Sequence, residues 1–362
     1  MDIKNTYKIS LIIPYFNPIF NYFKSAIYSI LAQSYTNWEV IIIDDGSNTQ
    51  SRAELKGFIK ELSDERFKLL HLAENTGQAA AKNRGLEVSS GEIITFLDTD
   101  DLFLPWHFMN MVNQFRIYPA CTVLLTDYVY YINFINRKRK LIISDFCKEL
   151  SDEKINNYID ALFSSKASPM PFIAFRNNLL TNFRFDISFK ACEDIDFYYQ
   201  ILDSNLLDKN SIRILPQSTY IYRIHSSINR VTHNLKLLTF YRDKLINKYS
   251  REQSLVFHLL KNIIDRNLLL PYDFSYIKEI KRVIRENYPI RLKFHLIYSL
   301  FFKYISEKIT LPLFGVDERY LHILIEKKDC SNKVKLLFKE YINNNKEEKN
   351  TVLAEKVFSE LF

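Results

Sequence analysis

The stretch Glu92-Ile93-Ile94-Thr95-Phe96-Leu97-Asp98-Thr99-Asp100-Asp101 decides the fold. Its apolar run does not alternate with polar residues, as expected for a strand covered on both faces of a parallel sheet. Three carboxylates and a threonine follow immediately. A strand of this kind delivers them to its carboxyl end, where open α/β sheets bind ligands.

The residues upstream repeat the pattern. Ile9 to Ile13, Glu39 to Ile43 and Phe67 to Leu72 read as three further strands. Between them, Phe20, Phe23, Ile27, Ile30 and Leu31 fall on one face of a helix, as do Leu55, Phe58, Ile59 and Leu62. Gln78 to Val88 is an Ala-rich helix, and Pro105 opens the helix that carries Phe108, Met111, Val112 and Phe115. Strand–helix alternation with short links implies right-handed crossovers and a parallel sheet. Four segments then meet at one edge: Pro14 to Asn17, Asp44 to Ser47, Glu74 to Gly77, and Asp98 to Asp101. Past Arg116 the rhythm changes. Thr122 to Phe134 and Leu141 to Phe146 read as an antiparallel hairpin, 186–203 as a loop feeding a helix, and 212–224 as a strand. Beyond about 235 the pattern is mostly helical.

The chain has 362 residues, enough for about two domains. Hydrophobic residues at 47% and charged residues at 25% exclude a disordered or fibrous chain. Only 6 glycines occur, five of them before residue 92, so each is expected where backbone geometry requires it. The net charge of +7 is uneven. Residues 1–230 hold 25 basic and 26 acidic groups, whereas 231–313 hold 15 and 7. The 4 cysteines are scattered, which excludes a zinc or disulfide framework. The amino terminus does not read as a secretory signal and no apolar run is long enough to span a bilayer, so a cytoplasmic location is expected.

The strand-end residues have chemical readings and plain ones. Asp98-x-Asp100 could hold a divalent cation, which relieves carboxylate repulsion and grips a diphosphate. It could equally be a solvated turn with Asp101 capping the next helix. Asp44-Asp45-Gly46-Ser47 is a tight turn or a receiver of ribose and base hydrogen bonds. Asn75-Thr76-Gly77 before a small-residue helix is an N-cap or a phosphate seat, with Lys82 or Arg84 adding charge. Glu193-Asp194-Ile195-Asp196 suits a helix start through the dipole, or supplies a general base. His225 follows an Arg near the end of the sheet-like region.

Taken together, Pro14, Phe16 and Asn17, Gln33-Ser34-Tyr35, Asp44 to Ser47, Asn75 and Gly77, Ala80-Ala81-Lys82-Asn83-Arg84-Gly85, Leu97 to Asp101, and Glu193-Asp194 resemble the family 2 inverting glycosyltransferases in order and spacing over about residues 8–230. Lys82 stands where that family usually has Arg, and the Gln-x-x-Arg-Trp signature of processive members is absent. The resemblance implies a GT-A nucleotide-sugar-binding fold, α/β with a mainly parallel central sheet flanked by helices. Residues 1–117 would form the nucleotide-binding half and 118–230 the acceptor-binding half, followed by a mainly helical basic region, 231–362. It further implies single-sugar transfer from a nucleotide-diphospho-sugar, with a UDP-sugar as the expected donor, to a saccharide or lipid-linked acceptor in surface polysaccharide synthesis. Pro14, Tyr15, Asn17, Asp45, Gly77, Lys82, Asp98 and Thr99 would contact the donor. Asp98, Asp100 and His225 would hold Mn²⁺ or Mg²⁺. Asp194 would be the base, and Glu193 would orient the acceptor.

The basic, aromatic segment 231–313, densest from Arg291 to Tyr304, reads as an amphipathic face for an anionic inner membrane surface or as a helix packed on the main domain. No nucleic-acid motif is present. Two rival functions remain. A sugar-1-phosphate nucleotidyltransferase wants a glycine-rich loop after the first strand, which Pro14 to Asn17 lacks. A non-catalytic scaffold has no need of intact Asp98, Asp100 and Asp194.

Overall fold

A computed structural model describes residues 7–133, 139–143, 173–204, 206–208, 210–224, 235–249, 331–345 and 349–358. The first half alternates as the hydrophobic pattern requires. It comprises β1 (Ile9–Tyr15), α1 (Phe20–Leu31), β2 (Trp38–Asp45), α2 (Thr49–Leu62), β3 (Phe67–Leu72), α3 (Gln78–Val88) and β4 (Ile93–Phe96). These four strands pair in parallel, in the order β3-β2-β1-β4. Every residue of β2 is buried, which explains its unbroken apolar run. Helix α3 lies so close to β1 that a Cβ on Gly85 would come within 2.4 Å of the Ile12 side chain. That approach seats the second half of α3 on the middle of β1.

The second half is mixed. β5 (Leu102–Phe103), α4 (His107–Ile117), β6 (Val123–Asn133), β7 (Arg139–Ile143), β8 (Ile173–Arg176), α5 (Asn177–Leu180), α6 (Glu193–Asp203) and β9 (Ile212–Ile224) follow. The sheet continues from β4 through β8, β6 and β9 to β5, and β7 pairs with β6 as the expected hairpin. β8 runs antiparallel to β4 and β6, β5 runs antiparallel to β9, and β6 and β9 are parallel. The short strands β5 and β8 have too few residues to show a period in sequence. The β6–β9 register slips where Leu215 faces Thr126 but Ser218 faces Asp127. Pro216 lies in that slip, where its missing N–H breaks no ladder.

Three helices complete the described structure: α7 (Leu235–Lys248), α8 (Ser331–Asn344) and α9 (Lys349–Phe358). α7 buries Leu238, Leu245 and Ile246 in the main core. α8 and α9 bury Val334, Phe338, Ala354 and Phe358 against Leu102, Val129, Tyr131 and Ile221, forming a second core. At about 1.5–3 kcal/mol for a fully buried large apolar side chain, this contact is a substantial share of the stability. His225, the run Arg291–Tyr304 and most of 231–313 lie outside the described residues. No helix among the described residues is long and apolar enough to cross a membrane.

Candidate active site

The carboxyl ends of β1, β2 and β4 carry the candidate residues. Asp44, wholly buried, accepts hydrogen bonds from the Ser47 amide (2.9 Å), Arg52 Nε (2.8 Å) and His71 Nδ1 (2.8 Å). Burial alone would raise its carboxyl, but Ser47, His71 and Arg52 outweigh that and hold it below the usual range. Asp45 turns the other way. Its Oδ1 receives the Thr76 amide and hydroxyl, both at 2.8 Å, and its Oδ2 receives the Gly77 amide at 2.8 Å. The Thr76 and Gly77 amides, just ahead of α3, are thus bonded by a carboxylate of the protein itself. The same dipole that attracts a phosphate attracts this carboxylate. Gly46 between the two acids has φ +70°, and a Cβ there would overlap the Glu74 backbone at 2.4 Å.

Asn17, also at positive φ, accepts the Asn48 amide at 2.9 Å and donates its own amide to Ser47 Oγ at 3.1 Å. Pro14 is partly exposed at the end of β1. Tyr15, expected to contact the donor, points into the core. It is fully buried, stacks edge-on against Phe23 at 4.9 Å and bonds Ser51 through its hydroxyl. Burial raises that phenol to about 12. The exposed neighbour is Phe16, 49% accessible, just past the end of β1.

The turn after β4 brings carboxylate oxygens of Asp98, Asp100 and Asp101 within 4.8 Å of one another. Asp101 is fully buried. Its carboxylate accepts the Tyr220 hydroxyl and, at 2.8 Å, the Arg223 amide, both from β9. It therefore anchors the turn to the sheet rather than capping α4, whose N-cap is Trp106. Asp98 and Asp100 are partly exposed, as is Thr99. Two aspartates on a pinned turn are hard oxygen donors, the chemistry that suits Mn²⁺ or Mg²⁺.

Helix α6 starts with Glu193, Asp194 and Asp196 in its first turn. Glu193 Oε1 meets Lys82 Nζ at 2.8 Å, and both side chains are over nine-tenths buried. Burial would lower the Lys82 ammonium, but Glu193, Asp98 and Asp194 together hold its pKa above the ordinary lysine value. Burial, followed by repulsion from Glu193, pushes Asp194 up to about 6, while Lys82 and the Ile195 amide pull it down. Asp196 does not face this cluster. It is buried and bonded to Gln200, Lys248 and Tyr249, tying α6 to α7.

The structure therefore gathers the expected site residues into two groups. Asn17 and Asp45 organise the loops after β1 and β2, with Gly77 at the N-cap of α3. Lys82, Asp98, Glu193 and Asp194 share one electrostatic neighbourhood. Lys82 and Glu193 spend their charges on each other, so their contact with donor and acceptor is limited by that pairing. Arg84 faces outward and pairs with Glu87 at 2.7 Å. Arg52, His71, Tyr220 and Arg223 are structural partners of the cleft that sequence reading missed. Each meets its aspartate across a tertiary gap that no local motif marks, except Arg52, eight residues from Asp44.

Residues 10–180 match the family model described as glycosyl transferase family 2. The putative teichuronic acid biosynthesis glycosyltransferase TuaG of Bacillus subtilis is 35% identical over 33% of this chain and 46% of its own length. The UDP-Glc:alpha-D-GlcNAc-diphosphoundecaprenol beta-1,3-glucosyltransferase WfgD of Escherichia coli is 38% identical over 27% of this chain and 37% of its own. The aligned stretch is under half the length of most of the curated relatives matched. Among solved structures, S. aureus TarS 1-349 in complex with UDP-GlcNAc superposes with a TM-score of 0.55 at 17% identity, covering 83% of this chain and 91% of that one. The fold is a GT-A-like α/β fold with a mixed sheet flanked by helices.

Proposed function

Because residues 10–180 match the glycosyl transferase family 2 model, we propose that the chain moves one sugar from a nucleotide-diphospho-sugar to a hydroxyl of a glycan or lipid-linked acceptor, with inversion and with a divalent cation. One observation carries this reading. The buried Lys82 ammonium responds at once to Asp98 from the end of β4 and to Glu193 and Asp194 from the start of α6. Donor-side and acceptor-side carboxylates therefore converge on one place.

In this reading Asn17 and the Asp45-braced loop frame the nucleoside, and the exposed Phe16 ring offers a face to its base. Asp98 and Asp100 would hold the cation, which when bound offsets the negative charge growing on the departing nucleoside diphosphate. His225, the third expected ligand, is not among the described residues. Asp194, ionised above its raised pKa, takes the proton from the acceptor hydroxyl as that oxygen attacks the anomeric carbon. Attack opposite the leaving group inverts the centre. Glu193 is engaged by Lys82 at 2.8 Å, which leaves Asp194 as the carboxylate at the start of α6 to act as base. A UDP-sugar is the donor to try first, since TarS was solved with UDP-GlcNAc. The TuaG and WfgD names support a surface-polysaccharide or lipid-linked acceptor.

The test is a panel of nucleotide sugars with and without Mn²⁺, read by nucleotide release and by the anomeric proton coupling of the product. Release that depends on the cation, with an inverted product, is expected. Release untouched by chelation removes the metal from the reading, and retained stereochemistry removes the single-base displacement.

A further inference from the structure

Two residues of β9, Tyr220 and Arg223, hold the acidic turn. The Arg223 amide donates to Asp101 Oδ1 at 2.8 Å, and its Nε donates to the Asp100 carbonyl at 2.9 Å. Its guanidinium lies over the Tyr22 ring of α1 at 4.3 Å and near the Tyr131 ring of β6 at 5.5 Å. Tyr220, three residues earlier on β9, donates its hydroxyl to Asp101. The Asp100 carbonyl and the Asp101 carboxylate are thus both fixed by β9.

From this geometry we propose that Arg223 is the positioning residue of the cation site. Its side chain holds the peptide after Asp100 so that Asp98 and Asp100 present their oxygens together before any cation arrives. The proposal rests on the reading of these two aspartates as cation ligands. The physical need is plain: like carboxylates on a loose turn separate, and closing them again costs binding energy. Arg223 supplies what a lysine cannot. Its planar group stacks on aromatic rings while a fixed N–H addresses a carbonyl, and an ammonium has no such plane. Tyr22 of α1 supports the guanidinium from beneath.

The experiment is a Mn²⁺ titration of the full chain followed by electron paramagnetic resonance, with UDP present. It is run on wild type, Arg223→Gln, Arg223→Lys and Asp100→Asn, alongside UDP affinity in EDTA and thermal melting. Arg223→Gln should bind Mn²⁺ about tenfold more weakly, the effect of one lost charge-assisted hydrogen bond. Its UDP affinity in EDTA should stay unchanged, and its activity should recover at saturating Mn²⁺. Arg223→Lys keeps the charge without the directed N–H, should lie nearer to Gln than to wild type, and serves alone if the Gln variant does not fold. Wild-type Mn²⁺ affinity in Arg223→Gln overturns the proposal. Full rescue by Lys, or an equal loss of metal-free UDP binding, does so too. If wild type itself binds no Mn²⁺, or Asp100→Asn binds it normally, the cation reading fails and the proposal with it. Normal binding by wild type, loss in Asp100→Asn and no change in Arg223→Gln refute the role of Arg223 alone.

Discussion

Asp194 and Asp44 are both partly or wholly buried carboxylates, yet their environments push them in opposite directions. Donors around Asp44 hold its carboxyl below the usual range, whereas burial and the neighbouring Glu193 push Asp194 up to about 6. That contrast supports the proposed use of Asp44 as a brace and of Asp194 as the proton acceptor. Replacing Asp194 with Asn should lower kcat by about 10²–10⁴ with donor affinity preserved, measured by turnover and calorimetry. In the wild type, kcat/KM should rise with pH through about 6 as the base ionises. In Glu193→Gln the repelling charge is gone, so the limb should move to lower pH. A pH profile flat between 5 and 8 would clear Asp194 of the role.

The element scale is governed by the contact between α3 and α6. Two helices far apart in sequence are joined by the buried Lys82–Glu193 pair at 2.8 Å, and Lys190 reinforces the joint by donating to the Thr76 carbonyl at 2.6 Å. Desolvation makes such a pair a weak source of net stability, but removing one partner strands the other. Lys82→Met should destabilise the chain by about 3–5 kcal/mol in urea unfolding, and adding Glu193→Gln should recover most of that. If the single variant unfolds like wild type, the pair is not buried as described. Local pattern foretold α3 to the residue and the start of α6 as a loop feeding a helix. It did not foretell their meeting, because charge pairing across 111 positions leaves no periodic trace.

For the whole molecule, ion-paired carboxylates brace both ends of the parallel sheet. Glu39, at the amino ends, is held by Lys68, Ser10 and Lys8 well below its ordinary value despite burial, and Asp44 is likewise depressed at the carboxyl ends. Both pKa values are lower in the folded chain than in the unfolded one, so their stabilisation is complete above the unfolded value of about 4. It is lost as pH falls below that towards the folded values. Melting temperature should therefore hold between pH 7 and 5 and drop steeply below 4. A melting temperature unchanged at pH 3 would contradict this linkage.

Hydrophobic period and strand-end chemistry alone determined the parallel half of the sheet, its helices and the edge at which the ligand groups gather. They sufficed because the helices repeat every 3.6 residues, the doubly covered strands are short unbroken apolar runs, and the ligand groups follow a strand directly. Tertiary structure alone decided how each aspartate is used: Asp45 bonds the amides of Thr76 and Gly77, Asp101 bonds β9, and Tyr15 enters the core and leaves Phe16 outside. Those outcomes depend on which donors distant strands bring within 3 Å. A hydrogen bond is too short-ranged and directional for composition or spacing to specify.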